Sequence, residues 1–300
     1  MADTILVVGA TGMQGGGVAR HLLKRGKFKV RCLTRRPDSE AARILEQQGA
    51  EGVQADLDDS ASLVRAVQGC CGVFGVTNFW EAYFREYDQA VNVIDAAAKA
   101  GVGHIVLSTL PSAKTISHGA IELPHFETKA RMEEQARLRD APFTFVHVAF
   151  YYENFLNYFP PLRQPDGSYS FGFPLGDAEL GAVAAEDIGG LVATILESRA
   201  EFLTKTVEII GDEMPAQGYA EIMSRTLKRK ITYSHVPRET YASLGFAGAR
   251  ELADMFEFLR VYTPSRRAHI TRCRQLFADM QTFETWVEEN ADKFNRLFEA

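Results

Sequence analysis

The sequence of 300 residues contains no apolar run near the roughly 20 residues that a membrane-spanning helix needs, so no membrane partner is expected. It also lacks a basic excess. With a net charge of −6, its field repels a nucleic-acid backbone, which argues against general nucleic-acid binding. Cysteine is scarce: Cys32, Cys70, Cys71 and Cys273 include one adjacent pair but no CxxC. No charged-then-apolar leader precedes the first apolar run, and a reducing, cytoplasmic home is expected. Cys70 and Cys71 stand at the start of an apolar strand, where burial is the commoner fate than redox activity. GxSxG is missing, the histidines show no metal-ligand spacing and the carboxylates form no recognisable pair, so metal-dependent hydrolysis is not expected.

Against these absences stands an ordinary globular composition, 46% hydrophobic and 24% charged, able to bury a sizeable core. Residues 5–8 form an apolar run ending at Gly9, and Phe28, Val30 and Cys32 alternate with Lys29 and Arg31. Both patterns predict strands, with a helix over 14–24 between them. Further strands are expected over 52–54, 73–76, 104–108 and 143–148, separated by helices. Before the fifth strand, Tyr87, Val91, Ile94 and Ala98 fall three or four apart, which predicts one buried helix face. Six strands alternating with helices imply an α/β fold: a Rossmann doubly wound parallel sheet covered on both faces.

The pattern changes after Tyr151. An aromatic stretch, Pro160, Pro161 and the turn signal QPDG at 164–167 interrupt it. The expected division is a dinucleotide-binding domain over 1–155 and a smaller C-terminal α+β substrate or partner lobe over 156–300. Within the latter, 186–211 is expected to return to the first sheet as a helix and a strand, and further helices are expected over 219–227 and 248–262.

Immediately after the first strand comes GATGMQG. A pyrophosphate must approach backbone amides at a helix N-terminus closely, where a missing Cβ and the positive end of the helix dipole both help. Gly9, Thr11, Gly12, Met13, Gln14 and Gly15 are therefore the expected phosphate loop. At the end of the second strand, where an NAD site carries an acid for the adenosine ribose, the chain has Thr34, Arg35, Arg36 and Pro37. Two guanidiniums complement a 2′-phosphate, so NADP is the expected cofactor. Asp56 is placed to accept from the adenine amino group or to cap the following helix.

GATGMQG, the TRRP turn, Asp56, TNFWE at 77–81 and FYYEN at 150–154 together resemble the NmrA-like family of atypical short-chain dehydrogenase/reductases, over nearly the whole chain. That resemblance implies an NADP-binding Rossmann domain, a smaller lobe, and members that sense the NADPH/NADP ratio or regulate partner proteins. It also implies that Thr77 and Asn78 lie beside the cofactor and Phe150 and Asn154 near its nicotinamide end. The wider superfamily uses Tyr-xxx-Lys on the helix after the fifth strand. The matching stretch here is HFETK, with His125 in place of the tyrosine and Lys129 retained.

A four-residue separation puts His125 and Lys129 on one helix face. Imidazole is a competent proton donor near neutral pH, and Lys129 fits either a ribose-binding role or the proton-transfer lysine of isoflavone-reductase-like enzymes. A packing role for His125 is equally compatible with its position. Ser108 and Thr109, ending the fifth strand, stand where the superfamily carries a substrate-orienting hydroxyl. Phe79, Trp80, Phe150, Tyr151, Tyr152, Phe155, Tyr158 and Phe159 either line a cavity for a small aromatic ligand or form an aromatic core. The expected roles are a redox-responsive regulator with a protein partner, or an NADPH-dependent reductase of a carbonyl, quinone, enone or imine; a homodimer is compatible with either.

Overall fold

The computed structural model describes residues 3–299. Along the first half run β1 (Thr4–Val7), α1 (Met13–Arg25), β2 (Lys29–Thr34), α2 (Glu40–Gln47), β3 (Glu51–Gln54), α3 (Ser60–Val67) and β4 (Cys70–Gly75). There follow α4 (Phe79–Ala82), α5 (Glu86–Lys99), β5 (His104–Thr109), α6 (Ala113–Ile116), α7 (Pro124–Arg137) and β6 (Phe143–Val148). Next come β7 (Phe150–Tyr151), α8 (Asn154–Asn157), β8 (Leu162–Arg163), β9 (Tyr169–Phe173), β10 (Glu179–Val183), α9 (Ala185–Glu197) and β11 (Thr206–Ile209). Beyond these lie β12 (Asp212–Pro215), β13 (Ile231–His235) and helices over Ala216–Leu227, Ala249–Tyr262, Arg267–Leu276, Phe283–Glu289 and Ala291–Glu299, with shorter turns between.

Two compact units result. The first comprises Met1–Ser112, His125–Val148 and Ala185–Glu208; the second comprises Ala113–Pro124, Ala149–Ala184 and Ile209–Ala300. The chain passes from the first unit to the second at 148/149, and just beyond it Ala149 donates its N–H to Ile209 and Tyr152 to Val183, both in the second unit.

A seven-stranded sheet ordered β11-β6-β5-β4-β1-β2-β3 forms the first unit's centre. Pairing is parallel from β6 through to β3. The order reverses between β1 and β4, the switch point at which open α/β sheets take their ligands. Apolar side chains such as Leu6, Val73, Ile94, Ile105 and Phe145 are buried against one face. On the other, α9 crosses α1 so closely that a Cβ at Gly189 would overlap the backbone of Gly17.

The buried face of α5 is rotated from the expected one. Ile94 is buried as expected, and Glu86, Ala90, Val93 and Ala97 are buried with it, whereas Tyr87, Val91 and Ala98 are only half-buried. Tyr87 is drawn outward to stack under the Arg131 guanidinium, 4.2 Å from its ring centroid. That rotation carries a carboxylate inward.

The second unit holds two three-stranded sheets, β12-β10-β7 and β13-β9-β8. QPDG is the turn of the β8–β9 hairpin: Gly167 sits at φ +83° and donates its N–H to Gln164 at 3.0 Å. An aromatic core including Tyr152, Phe155, Phe171, Phe173, Tyr219, Phe256, Phe283 and Phe294 is buried beneath the helices. Among the described residues no helix is long and apolar enough to cross a membrane.

Candidate functional site

Glycine chemistry builds the mouth of the first unit. Gly9 leaves β1 at φ +69°, a left-handed conformation that costs a residue with a Cβ energy, and a Cβ there would lie 2.9 Å from Val76 Cγ1. Gly12 closes the turn by donating to the Gly9 carbonyl at 2.9 Å. At Gly15 a Cβ would overlap that same carbonyl, so only glycine lets α1 start this close to the turn. Helix α1 has Gly12 as its N-cap residue, with no side-chain cap and no acidic residue in its first turn. An uncapped helix N-terminus behind a glycine cradle suits an anion, and these residues fit a dinucleotide pyrophosphate. Thr11, Gly12 and Met13 are exposed at the turn, and Gln14 is buried.

Arg35 and Arg36, at the end of β2, are both exposed. Arg35 is ion-paired with Glu81 of α4. The Arg36 backbone N–H donates to Thr34 Oγ1 at 3.1 Å, and its guanidinium has no ion pair among the described residues. Asp56 is exposed after β3 and accepts from the Asp58 N–H at 3.0 Å. It does not cap α3. Asp59 does, accepting from Ala61 at 3.0 Å and Ser62 at 3.2 Å.

Behind the glycine turn lies a polar cluster that the sequence patterning does not disclose. Lys129 Nζ on α7 donates to Glu86 Oε1 at 2.7 Å, to the Thr77 carbonyl at 3.0 Å and to Thr77 Oγ1 at 3.1 Å. Thr77 Oγ1 in turn donates to Glu86 Oε1 at 2.8 Å. Glu86 is 0% exposed and the Lys129 side chain 12%. Glu86 Oε2 is buried with no hydrogen-bond partner among the described residues, an omission that costs about 1–3 kcal/mol. Its signal in the sequence is position: Glu86 precedes Ala90, Val93 and Ala97 by whole helical turns.

His125 is buried on α7 in an aromatic cluster, its ring 5.8 Å from Phe79, 5.5 Å from Trp80 and 4.9 Å from Phe126. Asn78 is exposed and precedes α4. A narrow cleft at the carboxyl ends of β4 and β5 is lined by Thr77, Leu107, Ser108, Thr109 and Met132, among others. Ser108 and Thr109 are buried, and Thr109 Oγ1 donates to Glu133 at 2.6 Å.

Glu133 continues into His147, 2.6 Å away, whose other ring nitrogen lies 3.0 Å from Glu208. Burial alone would lower the His147 value, but its bonds to the two carboxylates outweigh that and raise it to about 9. Burial raises the thiols of Cys70 and Cys71, the latter to about 11, which keeps them protonated and poorly nucleophilic.

The expected site residues divide between the two units. Gly9, Thr11, Gly12, Met13, Gln14, Gly15, Arg35, Arg36, Asp56, Thr77, Asn78, His125 and Lys129 belong to the first, while Phe150 and Asn154 belong to the second. There Phe150 packs against Phe155 at 5.7 Å and Phe159 at 5.6 Å, and the Asn154 carbonyl accepts from Tyr158 and Phe159. Of the aromatic stretch, Tyr152 and Phe155 are core residues, 0% exposed.

Comparison with known proteins gives a match to the NmrA-like family model over residues 1–287. The chain is similar to an NmrA-like family domain-containing protein of Dictyostelium discoideum, 29% identical and covering 87% of this chain and 89% of that one. It is also similar to an NmrA-like family domain-containing oxidoreductase of Penicillium ochrochloron, 30% identical over 85% and 82% of the two chains. The solved structure of NmrA, a negative transcriptional regulator, in complex with NADP superimposes with a TM-score of 0.86. At 21% identity, covering 100% of this chain and 98% of that one, it shares the fold.

Proposed function

The chain belongs to the NmrA-like family, and on that premise we propose that it binds NADP(H) on its first unit and acts as a redox-responsive regulator. The glycine turn and the uncapped start of α1 take the pyrophosphate, Arg35 and Arg36 the 2′-phosphate, and Asp56 the adenine edge. NADPH supplies a transferable hydride when bound. What favours signalling over transfer is the state of Lys129. An ammonium has three N–H bonds, and all three acceptors here are internal: Glu86 and the two oxygens of Thr77. A lysine so held donates to a substrate only by giving up one of these internal bonds. His125, at the position of the superfamily's tyrosine, packs among aromatic rings.

A regulator of this type requires different interaction free energies in its reduced-cofactor and oxidised-cofactor states. Hydrogen exchange compared between the NADPH and NADP⁺ complexes is expected to differ in segments beyond the glycine turn. Incubation with NADPH and a panel of quinones, enones, carbonyls and imines is expected to oxidise no cofactor above background. Indistinguishable exchange in the two complexes, together with turnover that Lys129→Ala abolishes, supports the second reading, an NADPH-dependent reductase. That reading is favoured by the Penicillium relative, which is named an oxidoreductase.

A further inference from the structure

The Arg35–Glu81 pair adds an element to the cofactor site proposed above. Arg35 directly follows β2 and Glu81 belongs to α4, so two segments 46 residues apart meet beside the proposed 2′-phosphate site. Both side chains are open to solvent, at 57% and 53% exposure, so neither is forced into the pair by packing. Asp56 and Asp58 add their fields to the same guanidinium. Asp58 is itself ion-paired to Arg85 and bonded by Gln89 at 3.1 Å. Arg36 is the neighbouring cation without a carboxylate partner among the described residues.

An NAD site ordinarily carries an acid at the end of the second strand, where it accepts from the ribose hydroxyls; an NADP site carries cations there. This chain has the cations directly after β2 and brings an acid to Arg35 from another element. We propose that Glu81 limits the NADP-over-NAD preference, by occupying Arg35 in competition with the 2′-phosphate while remaining an acceptor for an unphosphorylated ribose. The carboxylate acts as an internal anion that the 2′-phosphate must displace from Arg35. Arg36 supplies the contact that no internal anion contests. The same displacement breaks one of the two ion pairs that, among the described residues, join residues 79–85 to the segments following β2 and β3, the other being Arg85 to Asp58.

This inference rests on dinucleotide binding at the glycine turn, and its test separates the two. Titration calorimetry with NADP⁺ and NAD⁺ is carried out on the wild type, Glu81→Gln, Arg35→Gln and the double variant. The exposed pair is worth little to folding, so all four chains are expected to fold. Removing the carboxylate is expected to tighten NADP⁺ about three- to tenfold, the scale of an exposed ion pair plus relief of charge repulsion. NAD⁺ is expected to bind unchanged or more weakly. The gain is expected to vanish when Arg35 is already Gln, as coupled residues require. A NADP⁺ to NAD⁺ ratio unaltered by Glu81→Gln, or a gain that survives without Arg35, overturns the role of Glu81 and leaves the dinucleotide site standing. Binding of neither nucleotide by any of the four chains overturns both.

Discussion

Glu86 is the residue on which the candidate site depends most. A carboxylate with no exposure is tolerated only when paired and hydrogen-bonded, and Lys129 and Thr77 provide that pairing on one oxygen. Breaking a buried pair from one side leaves the partner charge stranded, whereas replacing both partners together costs less. Glu86→Gln is therefore expected to destabilise the protein by about 3 kcal/mol, read by chemical denaturation. A second replacement, Lys129→Met, is expected to recover part of that loss. Equal stability of Glu86→Gln and wild type would mean that the ion pair contributes nothing. The sequence displayed Lys129 through its place in HFETK, whereas Glu86 was marked only by its helical register with Ala90, Val93 and Ala97. Apolar periodicity points to Tyr87, Val91, Ile94 and Ala98, and an acid at the head of a helix reads as a favourable dipole partner. Only the packing of α5, with Tyr87 held by Arg131, turns Glu86 inward.

Among elements, the crossing of α1 and α9 is the tightest. Gly17 and Gly189 meet at backbone distance, and Arg25 adds a bond to the Gly190 carbonyl at 2.9 Å. Helix propensity alone would make Gly189→Ala stabilising by about 1 kcal/mol. The overlap with Gly17 reverses that sign, and a net loss of about 1–3 kcal/mol is expected on thermal or chemical unfolding. A stabilised variant would show that the helices separate freely.

Strong local periodicity and glycine punctuation made the strands and helices of the first half legible, and with them the phosphate turn. The smaller sheets were not. Strands such as β7 and β8 have two residues each, too short for a period to emerge, and QPDG revealed a turn without revealing the hairpin on either side. The last helices did carry a signal, Phe294 and Phe298 one turn apart with both side chains buried.

For the molecule as a whole, pH dependence is set in part by His147. Its folded value of about 9 lies above the ordinary 6.5. The stabilisation it brings is thus complete below pH about 6.5 and is lost as pH rises through about 9. Thermal unfolding from pH 6 to 10 is expected to show a melting-temperature gap between wild type and His147→Gln that is widest at the acidic end and narrows towards pH 9 and above. A gap independent of pH would show that Glu133 and Glu208 do not hold the imidazolium.

At this same scale the proposed cofactor surface joins the uncapped α1, the Gly9 turn and the two arginines that follow β2. The most direct measurement is the affinity of the intact chain for NADPH and for NADH by titration calorimetry, repeated on Arg35→Gln/Arg36→Gln. Charge-assisted bonds to the 2′-phosphate require NADPH to bind at least about tenfold more tightly, and the double replacement to abolish that preference while NADH binding persists. Equal affinity for the two cofactors, or a preference that survives loss of both arginines, would contradict the NADP site.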